Sequence, residues 1–283
     1  VLCLMDVFGL PGSLPQLMQG SGMKYFVTTK MSWNQYNRMP YDSFQWRGID
    51  GTSVLVHFLT APSKSGTRTT SNAVLDPGTL KATWDNYQQK SISDRVLLTF
   101  GYGDGGGGPS KDMLERASRL AEFDGPVGLE MGTVGGFFRD LEQRLEGERV
   151  PEWNGELYLE YHRGTYTTRG NSKRANRKSE VLYHDAELFC AMASAILGRP
   201  YPREELTEGW KLILVNQMHD ILPGTTVPEV DVESRQDYAR VADLGQTALK
   251  GALDAIASNV SAPSPAVVVF NPLSWARDDV ARV

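Results

Sequence analysis

The spacing of apolar residues changes at Pro151, and a chain that follows one period before that point and another after it folds as two kinds of structure. Ahead of Pro151, short apolar runs at residues 1–5, 25–30, 53–58 and 95–100 alternate with helical stretches, which predicts parallel strands covered by helices. The third run is entered through Gly48-Ile49-Asp50-Gly51, a turn composition. Ser110 is placed to cap a helix that aligns Met113, Leu114, Ala117, Leu120 and Ala121 on one face, and another helix is predicted from about Val134 to Leu145. Beyond Pro151, residues 180–197, 204–219 and 230–258 carry apolar side chains three and four apart, with turns at Gly198-Arg199-Pro200 and Pro223-Gly224. That is the pattern of a three-helix bundle. A break at Ala262-Pro263-Ser264-Pro265 leads into Val267-Val268-Val269-Phe270-Asn271-Pro272, read as a strand opening a further β-rich domain. The predicted domains are therefore an α/β part over 1–150, a helical part over 151–262 and the start of a β domain over 263–283.

With 283 residues, 41% of them hydrophobic, and a formal net charge of −5, the chain is long enough for two cores and shows no bias toward nucleic acid. Its basic residues gather once, at Lys173, Arg174, Arg177 and Lys178, read as a solvated loop. No apolar run reaches membrane-spanning length. Cys3 and Cys190 lie in apolar runs and read as buried thiols. Two cysteines make no disulfide framework, which fits a reducing, cytoplasmic compartment. The Asn259-Val260-Ser261 sequon is too short a pattern to argue for secretion. The sequence opens inside an apolar run, without an initiator Met or signal segment, and closes at Ala281-Arg282-Val283 just past a nascent strand, so it reads as a piece of a longer protein. Self-association is left open.

Four groups of residues could carry chemistry. Asp6 closes the first apolar run, and α/β folds gather catalytic groups where strands hand over to loops. It reads either as such a group or as a cap for the helix entered near Ser13. Asp104 stands in Gly103-Asp104-Gly105-Gly106-Gly107-Gly108-Pro109, where glycines let the backbone approach a ligand closely. Neither a Gly-Lys-Ser/Thr nor a dinucleotide spacing is present, which argues against phosphate. What stays open is a general acid facing a polyol, or a solvated loop carboxylate. His219-Asp220 closes the second bundle helix, as a metal-ligating imidazole beside a carboxylate turned to a hydroxyl, or as a histidine serving the helix C-terminus. No HxxxH, HxH or cysteine pair supplies a whole zinc site locally. Lastly, Trp33-Asn34-Gln35-Tyr36-Asn37-Arg38 follows Lys30, and Tyr161-His162-Arg163-Gly164-Thr165-Tyr166 follows an apolar stretch. Both combine aromatic faces with amides and cations, as a sugar pocket or an ordinary interface would.

Taken together, Asp6-Val7-Phe8-Gly9 with Leu14-Pro15-Gln16, Thr28-Thr29-Lys30-Met31-Ser32-Trp33-Asn34-Gln35-Tyr36-Asn37, the 103–109 glycine segment, Tyr161-His162-Arg163-Gly164-Thr165, Gln217-Met218-His219-Asp220-Ile221-Leu222-Pro223-Gly224 and Asn271-Pro272-Leu273 resemble a family 38 glycoside hydrolase. The likeness is to an α-mannosidase of the cytosolic, vacuolar and bacterial branch. It implies the C-terminal part of a β/α catalytic domain with parallel strands, then the three-helix middle domain, then the first strand of a β-sandwich domain. It also implies a retaining, exo-acting enzyme that removes terminal α-linked mannose from oligosaccharides with one divalent ion, zinc or sometimes cobalt. By the same resemblance Asp6 is both nucleophile and ion ligand, His219 is a second ion ligand, and Asp104 is the acid/base. The family's other branch has two adjacent aspartates there, where this chain has Asp104-Gly105. Phe8 and His162 match positions lining the sugar site, Asp220 one that holds sugar hydroxyls, and Lys30 falls near a basic position of the other branch. Trp33 and Arg163, from the aromatic segments, join them as candidate substrate contacts. The remaining ion ligands, a His-x-Asp pair, are expected on a strand before Val1 and further β domains after Val283. The isolated chain is therefore expected to bind metal weakly and hydrolyse little. Two rivals stand beside this reading: a metal-dependent carbohydrate deacetylase, which needs no covalent nucleophile, and a non-catalytic carbohydrate-binding fragment.

Overall fold

The computed structural model describes residues 1–64, 68–123, 125, 127–263 and 265–280, and the chain divides into two units, Val1–Gly164 and Thr165–Val283. In the first, the elements run β1 (Leu2–Cys3), β2 (Gly9–Leu10), α1 (Leu14–Gly20), β3 (Tyr25–Thr28), β4 (Ser43–Arg47), β5 (Ser53–Phe58), α2 (Pro77–Asn86), α3 (Lys111–Ala121), α4 (Val134–Arg144), β6 (Glu152–Asn154) and β7 (Leu157–Tyr158). Short 3-10 turns occupy Lys30–Trp33 and Glu160–Tyr166.

Five strands form a sheet in the order β1-β3-β5-β4-β6, while β2 and β7 pair separately as an antiparallel ribbon. β1, β3 and β5 are parallel, as the apolar runs predict. β4 runs antiparallel to β5, and β6 parallel to β4, so the sheet is mixed rather than wholly parallel. The turn at 48–51 closes the β4–β5 hairpin, with Gly51 at φ 89° and Gly48 N donating to Thr52 O at 2.7 Å. Side chains alternate across a strand, and both faces of β5 are covered. Val54, Val56 and Phe58 pack with Met18, Phe26, Phe44 and Trp46 on one face, and Leu55 with Val27, Phe138 and Leu141 on the other. Each such side chain, fully buried, contributes roughly 1.5–3 kcal/mol. His57, directly opposite Ser43, places Nδ1 2.9 Å from Ser43 Oγ and accepts from Leu97 N at 3.3 Å through Nε2.

The second unit is the expected three-helix bundle: α5 (Gly170–Leu197), α6 (Arg203–Asn216) and α7 (Pro228–Ala257). Tyr183, Ala186, Leu206, Ile213 and Val241 share one core cluster. Gly198, at φ 68°, ends α5. No helix among the described residues is long and apolar enough to cross a membrane.

Several expectations need correction. Residues 95–100 form no strand. Only Phe100 bridges, to Ala73, because the backbone N–H of Leu97 is taken by the His57 side chain instead of a neighbouring strand. Helix α5 starts ten residues before the predicted 180, so Lys173, Arg174, Arg177 and Lys178 lie on a helix and not in a loop. Its first turns bury Ser172, Asn176 and Ser179, a polar face that carries no apolar period. Helix α6 stops at Asn216, three residues short of His219. Cys3 is exposed, because β1 pairs only with β3 at the sheet edge, whereas Cys190 is buried as expected. On α3 only Ala117 is buried and Leu114 is 46% exposed, so the apolar face expected to be covered is largely open. Residues 267–272 form no strand, since no described backbone pairs with them; Phe270 packs edge-on against Phe189 instead. Ser264 and the closing Ala281-Arg282-Val283 lie outside the described residues.

Candidate active site

Strand register builds the centre of the site. β1 and β3 pair Leu2 with Phe26 and Cys3 with Val27, and the ladder continues as Leu4 N donates to Val27 O at 3.1 Å and Thr28 Oγ1 to Leu4 O at 2.6 Å. Extended along both chains, the same register sets Asp6 beside Lys30 at the carboxyl edge of the sheet. There the Lys30 ammonium forms an ion pair with Asp6 Oδ1. The lysine is 7% exposed and the aspartate 41%, so the carboxylate faces outward from a cation held inside. Ser13 occupies the N-cap position of helix α1, so Asp6 does not serve as its cap.

Aromatic rings surround that cation. Lys30 Nζ lies 3.3 Å from the Trp33 ring centroid and 5.7 Å from that of Phe8. Phe8 meets the His162 ring at a 4.5 Å centroid distance, because the β2–β7 ribbon carries on past its paired residues through Leu159 N to Phe8 O at 2.7 Å. The chain then tightens, with His162 N donating to Leu159 O at 3.0 Å. Arg163 sits over Tyr158, 5.9 Å from its centroid. Asp6, Phe8, Lys30, Trp33 and His162 thus form one contiguous cluster, four of the five joined by direct contacts to Lys30 or Asp6 and the fifth through Phe8.

Two bracing residues lack any local signature in the sequence. Thr69 O accepts from Trp33 Nε1 at 3.1 Å, and Thr69 Oγ1 lies 2.7 Å from Thr29 Oγ1 and 2.6 Å from Ser32 Oγ, so it pins the turn that carries Lys30. Glu160 accepts from Tyr36 N, from Asn37 N at 3.2 Å and from Asn37 Nδ2 at 2.7 Å, while its own N–H donates to Asn34 Oδ1 at 2.7 Å. Burial pushes the Glu160 carboxyl up, but the donors from Tyr36, Asn37 and Gln35 outweigh it and hold it below the usual carboxylate range.

Asp104 stands outside this cluster. It occupies the tip of a small hairpin closed by Tyr102 N to Gly108 O at 2.8 Å and the reverse bond at 2.9 Å, exposed and in a left-handed conformation at φ 50°. In the helical unit, His219 and Asp220 fall in the turn after α6, not on the helix. His219 Nε2 lies 3.7 Å from Asp220 Oδ2, and Thr225 Oγ1 donates to Asp220 Oδ1 at 2.7 Å.

Carboxylate and imidazole are the right donor types for a zinc-like ion. In number they fall short: among the described residues no group of three or more His, Cys, Asp or Glu could hold one.

Residues 1–156 match the N-terminal domain of glycosyl hydrolases family 38, and residues 160–256 match the alpha mannosidase middle domain. The chain belongs to glycosyl hydrolase family 38. Its relatives there carry the name alpha-mannosidase. The human alpha-mannosidase 2C1 is 37% identical over 278 residues, covering 98% of this chain and 26% of that protein. The Saccharomyces cerevisiae alpha-mannosidase is 35% identical over 239 residues, covering 81% and 21%. The chain thus spans about a quarter of the length of the curated relatives it matches. A crystal structure of an alpha-mannosidase from Enterococcus faecalis shares its fold, with a TM-score of 0.70 at 19% identity over 91% of this chain and 30% of that one.

Proposed function

We propose that the enzyme carrying this chain hydrolyses terminal α-linked mannose from oligosaccharides with retention, Asp6 acting as nucleophile and Asp104 as acid/base. The observation that supports it most is the Asp6 carboxylate at a strand end, backed by a buried ammonium that Phe8 and Trp33 flank, with His162 packed on Phe8. Pyranose rings offer apolar C–H faces to such aromatics and hydroxyls to the surrounding polar groups.

In the first step an Asp6 oxygen bonds to the anomeric carbon as the glycosidic C–O bond breaks, and the Asp104 proton passes to the leaving oxygen. In the second, Asp104 takes a proton from water, whose oxygen bonds to the anomeric carbon as the bond to Asp6 breaks. Retention requires the two carboxyl groups to come within roughly 5–5.5 Å in the working enzyme. The exposed, glycine-flanked position of Asp104 suits a group that must close onto a substrate. Phe8, Lys30, Trp33, His162, Arg163 and Asp220 are assigned to substrate binding.

Dependence on a divalent ion, zinc before cobalt, belongs to the same proposal, with Asp6 and His219 as the donors this chain would bring. Zinc content measured after Asp6→Ala and His219→Ala tests it. A cytoplasmic site of action is consistent with two free cysteines. The deciding experiment for the mechanism is mass spectrometry after exposure to a fluorinated mannosyl fluoride. A mannosyl adduct on Asp6 is the expected result; a deacetylase or a non-catalytic binding fragment would leave Asp6 unlabelled.

A further inference from the structure

The turn from Met218 to Thr225, which presents His219 and Asp220, is fastened from the base of α5. Lys173, in the first turn of that helix, donates to Leu222 O at 3.0 Å and Pro223 O at 3.2 Å, as well as to Thr168 O at 2.5 Å. Desolvation lowers this lysine from its usual range, as it does for an ammonium packed among neutral carbonyls. A helix N-terminus is the unfavourable end for a cation, so the macrodipole does not account for its place. The carbonyls do: past the end of α6 they have no intrahelical donor, and a neighbouring ammonium satisfies two of them.

Other contacts converge on the same turn. Arg169 adopts a left-handed φ of 52°, and its Cγ lies 2.5 Å from where a Cβ on Gly224 would stand, so the turn seats directly on that side chain. Arg169 is fixed in turn by Asp231 at 2.9 Å, which also takes Arg235 at 2.7 Å. Inside the turn, Thr225 N donates to Asp220 O at 3.0 Å and Leu222 N to Met218 O at 3.2 Å.

We propose that Lys173 is a positioning residue for the site: its ammonium clips the 218–225 turn to α5 and so fixes how His219 and Asp220 are presented. The inference rests on the reading of those two residues given above. Lys173→Met removes the donors with little change in shape. Lys173→Arg keeps charge and donors but spreads them over a wider, planar fork.

Both variants are made in the full-length enzyme carrying this chain. Amide hydrogen exchange across 218–225 and 180–197 is measured together with kcat and KM on an aryl α-mannoside. Lys173→Met is expected to speed exchange across 218–225 at least tenfold, leave 180–197 protected, and lower kcat/KM by roughly 10–100-fold, since small misplacements of positioned groups cost that much. Lys173→Arg should fall between it and the parent in both readouts. Unchanged exchange across 218–225 in Lys173→Met overturns the clip. Faster exchange with unchanged kinetics overturns its positioning role. His219→Ala and Asp220→Ala, if both retain full turnover, remove the site reading itself, while the exchange data still report whether the clip exists.

Discussion

The ammonium of Lys30 rests 3.3 Å from the ring centroid of Trp33, and the indole N–H of the same ring is held by Thr69 O at 3.1 Å. A cation fixed in this way cannot swing away from Asp6 to follow solvent. It keeps a positive charge behind the proposed nucleophile throughout the reaction, and the indole sets where that charge sits.

Lys30→Met in the enzyme carrying this chain is therefore expected to lower kcat/KM by about 100-fold, equivalent to about 3 kcal/mol of transition-state stabilisation. Trp33→Leu removes a cation–π contact worth roughly 0.5–2 kcal/mol together with the indole's bond to Thr69 O, and should still cost less than losing the charge itself. Steady-state kinetics on an aryl α-mannoside check both. A larger loss for Trp33→Leu than for Lys30→Met would mean that the ring acts on substrate beyond its hold on Lys30.

Asp104→Ala should separate leaving groups. Activated aryl mannosides need little proton donation and are expected to lose far less than unactivated oligosaccharides, for which general-acid help accounts for about 10²–10⁴-fold. A uniform loss across leaving groups would move the acid/base role to another residue.

Stability should respond to pH through His57. Its ring is wholly buried and desolvation pushes it down to about 3, so it stays neutral in the folded chain while the unfolded chain protonates it near the ordinary 6.5. Between those values the unfolded state binds the extra proton, so this contribution is fully present above 6.5 and is lost as pH falls toward 3. Near pH 4.5 the loss amounts to about 2–3 kcal/mol. Asp42 works in the opposite sense at low pH, because burial raises its carboxyl against the Gln88 donors. Urea unfolding of the parent and of His57→Gln, compared at neutral and acid pH, isolates the histidine: the variant should show the shallower acid loss.

A tighter constraint lies in the bundle. A Cβ on Gly209 would stand 1.7 Å from the Tyr183 hydroxyl, and one on Gly245 2.7 Å from the same ring. Gly209→Ala is expected to cost about 3 kcal/mol, seen as a lowered thermal midpoint. Adding Tyr183→Leu should recover part of that loss, so that the double variant is more stable than the two single losses combined would predict.

Much of this architecture was legible in the residues. The Ser53–Phe58 run is apolar on both faces and became the central strand. The charges at Asp6 and Lys30 stood at the ends of apolar runs, and both lie at the sheet edge. Ser43–Arg47 carries a weaker signal, in which Phe44 and Trp46 alternate with polar residues in the period of a strand with one buried face. The beginning of α5 was hidden for a different reason. Asn176 and Glu180 bury polar groups against Gln217 and Tyr238, and a hydrogen-bonded seam leaves no apolar signature. The same holds for Lys173, two of whose three carbonyl partners belong to residues about fifty positions away.

Asp6 and Lys30 each stand four residues beyond a position paired in the ladder between β1 and β3. Their meeting is thus a matter of counting. Substituting neighbouring loop residues preserves the count, but deleting a single residue from either segment would swing one charge toward the opposite side of the sheet. Engineering at this edge has freedom in chemistry and almost none in length.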